Sequence, residues 1–132
     1  MEHAQVKAIF DRWFEALNRG GDPEREYEDR HPDCVIQHPQ SGEVFDRDGM
    51  LGMQREYPDP APKSKLVRLT GHGDEWTVEA TLDYGPERGG TWPVVVTCGF
   101  KDGKIIRETR YFAEPFEAPE GRAKWTKGGG GG

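Results

Sequence analysis

The sequence is short of cysteine, of basic charge and of long apolar runs. Two cysteines among 132 residues cannot build a disulfide framework, and Cys34 and Cys98 both sit in strand-like apolar stretches, Cys34-Val35-Ile36 and Val94-Val95-Val96-Thr97-Cys98. Buried reduced thiols are the expected state. No stretch approaches the roughly 18 apolar residues of a membrane span, and Met1-Glu2-His3 carries none of the basic and apolar features of a secretory leader. A cytoplasmic protein is the expectation. With 18 basic against 24 acidic residues the net charge is -6, which disfavours attraction to nucleic acid or to an anionic membrane. His3, His31, His38 and His72 show no CxxC or HExxH spacing, and Gly85 to Gly90 carries Pro86 and Glu87 instead of a phosphate loop. Neither a metal nor a cofactor is expected.

Aromatic residues are what the chain does have. Only 33% of positions are hydrophobic, yet four Trp, four Tyr and six Phe concentrate apolar area on few sites. The length suits one domain, over residues 1–127, with 128–132 expected as a disordered glycine tail or an added linker.

Val6, Ile9, Phe10, Trp13, Phe14 and Leu17 recur at helical spacing and form one stripe, ended by Gly20-Gly21. Asp22-Pro23 starts a second helix, with Glu24 and Glu26 near its positive end, expected to run to about Arg30. His31-Pro32-Asp33 is read as a turn into the strand Cys34 to His38, followed by a turn at Pro39 to Gly42 and a short strand, Glu43 to Phe45. Asp46 or Asp48 caps a third helix bearing Met50, Leu51, Met53 and Tyr57, which Pro58, Pro60 and Pro62 stop. From there the period becomes two. Lys65 to His72, Glu75 to Tyr84, Thr91 to Lys101 and Lys104 to Phe112 read as an antiparallel meander. Alternation points Trp76, Val78, Ala80, Leu82 and Tyr84 inward, then Trp92, Val94, Val96, Cys98 and Phe100. On the last strand Ile106, Glu108, Arg110 and Phe112 are expected inward, with Ile105 and Tyr111 competing. Phe116 and Trp125 are expected to anchor the C-terminal tail over the pocket mouth or the barrel edge.

Three segments carry a family resemblance: Phe10 to Leu17 with its Gly-Gly-Asp exit, Pro32 to Pro39, and Asp102 to Phe112. In this order they resemble the nuclear transport factor 2 superfamily, which includes ketosteroid isomerase, limonene epoxide hydrolase and SnoaL-type polyketide cyclases. The resemblance implies an α+β fold, a cone-shaped barrel with three helices packed on a curved antiparallel sheet around a pocket for a small apolar or aromatic ligand. It also implies a homodimer through the outer sheet face, where Thr77, Thr81, Thr91, Val95, Thr109 and Tyr111 would lie.

By the same resemblance His38 stands where ketosteroid isomerase holds its proton-shuttling carboxylate, and its ordinary pKa of about 6.5 suits that role. The alternative is a histidine that only satisfies the strand end. Trp13 matches the position of a tyrosine oxyanion donor, and can donate but not accept. Val96 stands where that enzyme has its acid, and Arg110, Ala80 and Leu82 fall where limonene epoxide hydrolase has its triad, so neither of those mechanisms is expected. Glu108 and Arg110, two apart on one strand, form either a buried functional pair or a solvated edge. Gln37, Tyr57, Trp76, Tyr84, Trp92 and Phe112 join Trp13 as candidate ligand contacts. The expected function is a cofactor-independent isomerase, cyclase or lyase acting on a small cyclic or polyketide-like carbonyl compound. A non-catalytic ligand-binding or protein-interaction domain of the same fold is the alternative.

Overall fold

The computed structural model describes residues 1–128; all but the first residue of the expected glycine tail lies outside the described residues. Helix α1 (His3–Asn18) opens the chain, and its apolar stripe is buried, with Val6 and Phe10 wholly enclosed. Burying each such side chain contributes about 1.5–3 kcal/mol. Helix α2 (Pro23–Glu26) follows, then strands β1 (Arg30–His38) and β2 (Glu43–Asp46), helix α3 (Arg47–Glu56), and strands β3 (Lys63–His72), β4 (Glu75–Asp83), β5 (Thr91–Lys101) and β6 (Lys104–Phe112). Asp46 caps α3, its Oδ1 accepting from the Gly49 N–H at 2.6 Å. The strands form one curved, unclosed sheet in the order β2-β1-β6-β5-β4-β3, and the helices cover its concave side.

The sheet is antiparallel except where β1 lies parallel to β6, pairing Ile36 with Glu108 and Gln37 with Thr109. This pair brings the start of the sheet beside the end of the chain and sets the position of the site.

Four local expectations need correction. Helix α2 ends at Glu26, not near Arg30, because Arg30 is drawn into the sheet, where its backbone pairs with Ile105 and its guanidinium meets Glu108. The Tyr27 carbonyl at the helix end accepts from Arg47 at 3.2 and 3.3 Å. His31-Pro32-Asp33 consequently lies within β1. On β6 the pairing with β5 jumps from Phe100–Ile105 to Gly99–Arg107, a bulge at Ile106. Ile105 is therefore wholly buried in place of Ile106, while Glu108 and Arg110 keep their inward phase. Finally, Phe116 and Trp125 are 82% and 79% exposed, so neither anchors the tail.

Candidate active site

A cavity of about 1140 Å³ opens between α1, α3, the segment 59–62 and the concave face of β4 to β6. Phe14 and Leu17 line it from α1, Met50 and Met53 from α3, and Leu82, Val94 and Val96 from the sheet. Tyr84 and Trp92 stand edge to face on its wall, ring centroids 5.7 Å apart. The Trp92 indole is pinned by donating to the Gly89 carbonyl at 3.1 Å. Residue 89 has to be glycine for two reasons: its φ is +97°, and a Cβ there would fall 2.9 Å from Trp92 Nε1.

Behind the wall lies a charged triad. Glu108 is wholly buried and receives Arg30 Nε on Oε2 at 2.9 Å, Arg30 Nη2 on Oε1 at 3.2 Å, and Arg110 Nε and Nη2 on Oε1 at 3.3 and 3.2 Å. Arg110 Nη2 also donates to the Tyr27 hydroxyl at 3.0 Å. Both guanidiniums stack on Trp13, at 4.3 and 4.8 Å from its ring centroid. Burial alone would raise the Glu108 carboxyl, but the charges of Arg110 and Arg30 and their hydrogen bonds outweigh it and hold its pKa near about 2. The triad carries a net positive charge, and of its three members only Arg110 reaches the cavity wall.

His38, at the end of β1, is half-buried on that wall. Phe45 and Phe112 hold its ring, each centroid 5.3 Å away. Its Nε2 is buried without a hydrogen-bond partner. Burial, then the positive charge of Arg110, lowers its pKa below the usual 6.5, against the opposing pull of Glu43 and Glu108. The imidazole is thus neutral at physiological pH, with a nitrogen free to take a proton.

Glu26 is the residue that the sequence did not mark. It is 3% exposed and lines the cavity from α2. Oε2 accepts from the Asp22 N–H at 2.9 Å, and Oε1 has no partner. Burial raises its pKa; the Asp22 amide, Trp13, Arg30 and Arg110 pull it back in part. Trp13 is thus close enough to act on the carboxyl, although the two form no hydrogen bond and Trp13 Nε1 is itself unpartnered. The sequence carries no separate signal for it, since α2 ends at Glu26 and an acid near a helix start suits the exposed end equally.

Among the described residues, the buried side-chain polar atoms without a partner are Trp13 Nε1, Glu26 Oε1, His38 Nε2 and Gln54 Oε1, and all four residues line this cavity. Unpaired buried polar groups are costly, and here all four belong to residues that line one cavity. Tyr57, Tyr84, Trp92 and Phe112 also line the cavity, with Tyr57 57% exposed at its rim.

Two expected ligand contacts lie elsewhere. Gln37 is exposed on the outer sheet face, because alternation from the buried Ile36 turns it outward. Trp76 packs beside His3, their ring centroids 5.8 Å apart, and donates Nε1 to the Gly73 carbonyl at 2.8 Å, away from the cavity. Glu108 is walled off behind Arg110. No group of three His, Cys, Asp or Glu side chains able to hold a metal occurs among the described residues. Cys34 and Cys98 are free and buried, and burial pushes both thiols up to about 12.

A model of the SnoaL-like domain matches residues 10–108. No curated protein matches the sequence. In three dimensions the chain is similar to an NTF-2 like protein of unknown function from Burkholderia xenovorans LB400, with a TM-score of 0.81 and 28% identity over 97% of this chain and 98% of that one. It is also similar to a candidate ketosteroid isomerase from Kribbella flavida DSM 17836, with a TM-score of 0.76 and 26% identity over 95% and 90% of the two chains. A candidate hydroxylase from Streptomyces galilaeus shares the fold at 16% identity, with a TM-score of 0.67 over 95% of each chain.

Proposed function

The chain belongs to the SnoaL-like domain family, and from that premise we propose that it is a cofactor-independent isomerase or cyclase that moves a proton on a small cyclic or polyketide-like carbonyl compound, with His38 as the proton-transfer group. The observation that carries this reading is the unpartnered Nε2 of a neutral imidazole, buried on the wall of an aromatic cavity. The likeness to a candidate ketosteroid isomerase supports the same class of chemistry.

In this reading Nε2 takes a proton from the carbon beside the carbonyl. The C–H electron pair forms the enolate double bond as the carbonyl pair moves onto oxygen; the imidazolium then returns its proton to another carbon of the enolate system in an isomerisation, or, in a cyclisation, to the alkoxide left when the enolate carbon bonds to a second carbonyl carbon of the substrate. The net positive triad, presented through Arg110, stabilises the negative charge that develops.

The test is hydrogen exchange. α-Tetralone, a flat cyclic ketone with acidic protons beside its carbonyl, is incubated with the protein in D₂O and followed by NMR. Protein-dependent deuterium uptake that falls about 10²–10⁴-fold in His38→Gln is the expected result. Uptake equal in wild type and variant sinks the assignment of His38.

A further inference from the structure

The Glu26 and Trp13 pair has no task in that reaction, and its chemistry specifies a ligand group. Trp13 Nε1–H can only donate, and it is buried without a partner. Beside it, Glu26 Oε1 is also unpartnered, while Oε2 is held by the Asp22 amide. The nearby arginines are largely engaged elsewhere. Arg30 uses Nε and Nη2 on Glu108 and Nη1 on the Glu26 main-chain carbonyl. Arg110 uses Nε and Nη2 on Glu108 and the Tyr27 hydroxyl, and neither arginine hydrogen-bonds Glu26 Oε1. Within the protein, nothing else satisfies the two atoms.

We infer that Glu26 and Trp13 form a second polar subsite of the cavity, one that receives a hydroxyl group, so that the substrate is a hydroxylated cyclic ketone. A hydroxyl accepts from the indole and donates to the carboxyl at once. A carbonyl oxygen would satisfy the indole but could meet the carboxyl only in its protonated form. An ammonium would satisfy the carboxyl, leave the indole unmet and be repelled by the net positive triad. A carboxylate would be repelled by Glu26. Burial raises the Glu26 pKa, and the Asp22 amide, Trp13, Arg30 and Arg110 offset that rise in part; a hydroxyl suits either form, since it donates to a carboxylate and accepts from a neutral carboxyl.

The subsite is separate from His38. Glu26 enters the cavity from α2 and His38 from the end of β1. A ligand that presents its carbonyl side to His38 therefore has to extend to reach Glu26, which a ring bearing a remote hydroxyl does. This assignment rests on the proposed proton transfer at His38 for the ketone, and on Glu26 and Trp13 for the hydroxyl.

The experiment compares α-tetralone with its ring-hydroxylated isomers, by calorimetric titration and by the indole N–H signals of ¹⁵N-labelled protein. Trp13→Phe identifies the Trp13 signal by its loss. At least one hydroxylated isomer is expected to bind about tenfold more tightly than α-tetralone, as hydrogen bonds to Trp13 and Glu26 together imply, and to shift the Trp13 signal where the parent ketone does not. In Glu26→Leu the preference should fall to about twofold or less, because the side chain then offers the hydroxyl neither donor nor acceptor. A preference that survives Glu26→Leu, an unmoved Trp13 signal in wild type, or no isomer that binds better than α-tetralone overturns the subsite. Deuterium exchange measured alongside separates the two readings: a hydroxyl preference with exchange indifferent to His38→Gln keeps the subsite and removes the base, and the reverse pattern does the opposite.

Discussion

Arg30 grips Glu108 through a two-point fork, Nε to Oε2 at 2.9 Å and Nη2 to Oε1 at 3.2 Å, with neither side chain exposed to solvent. The partners are 78 positions apart in sequence, so this contact ties the first strand of the sheet to the last.

Glu108→Gln leaves two guanidiniums buried against each other without an anion. Loss of about 3–5 kcal/mol is expected, read by chemical denaturation at neutral pH. Acid should act on wild type in the same way. The Glu108 carboxyl is lowered in the fold from 4.5 to about 2, so its stabilisation is present above about pH 4.5 and is lost as pH falls from there towards 2. A denaturation midpoint that did not drop over that range in wild type, relative to Glu108→Gln, would contradict the fork as described.

The acid limb of the exchange reaction should report His38. Its pKa is lowered by burial and by Arg110, so the reactive neutral form persists below pH 6.5. The rate should rise with pH, reach half its maximum below 6.5 and stay level to neutrality. A midpoint above 6.5 would show that the imidazole is not the group buried beside Arg110.

Gly89→Ala should destabilise the fold by about 1–3 kcal/mol, since φ there is +97°. The new methyl would also push Trp92 from its place on the cavity wall, so weaker binding of α-tetralone should accompany the lower unfolding temperature. Retention of both properties would mean that the loop re-forms freely.

Trp76→Phe removes the hydrogen bond to Gly73 and part of a buried ring, at a cost of about 1–2 kcal/mol. Because Trp76 packs away from the cavity, affinity for α-tetralone should not change. A tenfold loss of affinity would restore it to the site.

The outer face of β5 and β6 presents Val95 opposite Tyr111, the latter 45% exposed. If the homodimer implied by family resemblance uses this face, sedimentation velocity at high micromolar concentration should give twice the chain mass, and Tyr111→Lys should return a monomer. A monomeric wild type removes the dimer.

Much of the frame was legible because its periods are unbroken. The stripe from Val6 to Leu17 and the alternation from Trp76 to Leu82 state which face is buried, and the fold follows them. What was not legible depends on contacts distant in sequence. The bulge at Ile106 reverses one residue of β6 without any local sign, and Arg30 leaves the helical pattern because its partner lies on β6. Glu26 was taken for a helix-start acid, a role that its position near the N-terminus of α2 equally suits, and only the packing of α2 against Trp13 turns it into the cavity. Alternation correctly turns Trp76 inward, but it does not say where along the cone the hollow lies, and Gln37 stands next to the buried Ile36 on the opposite face.

The parallel pairing of β1 with β6 also has a kinetic consequence. Antiparallel neighbours β3 to β6 are joined by short connections and can pair as soon as each is made, whereas β1 must wait for a partner that begins at Lys104. Closing so long a loop is entropically expensive and slow. Arg30 and His38 both ride on β1, so a chain emerging from the ribosome holds a nearly finished sheet before it holds either of them in place. The pocket's chemistry is then the last property that the molecule acquires, and the first that it loses if the seam between β1 and β6 parts.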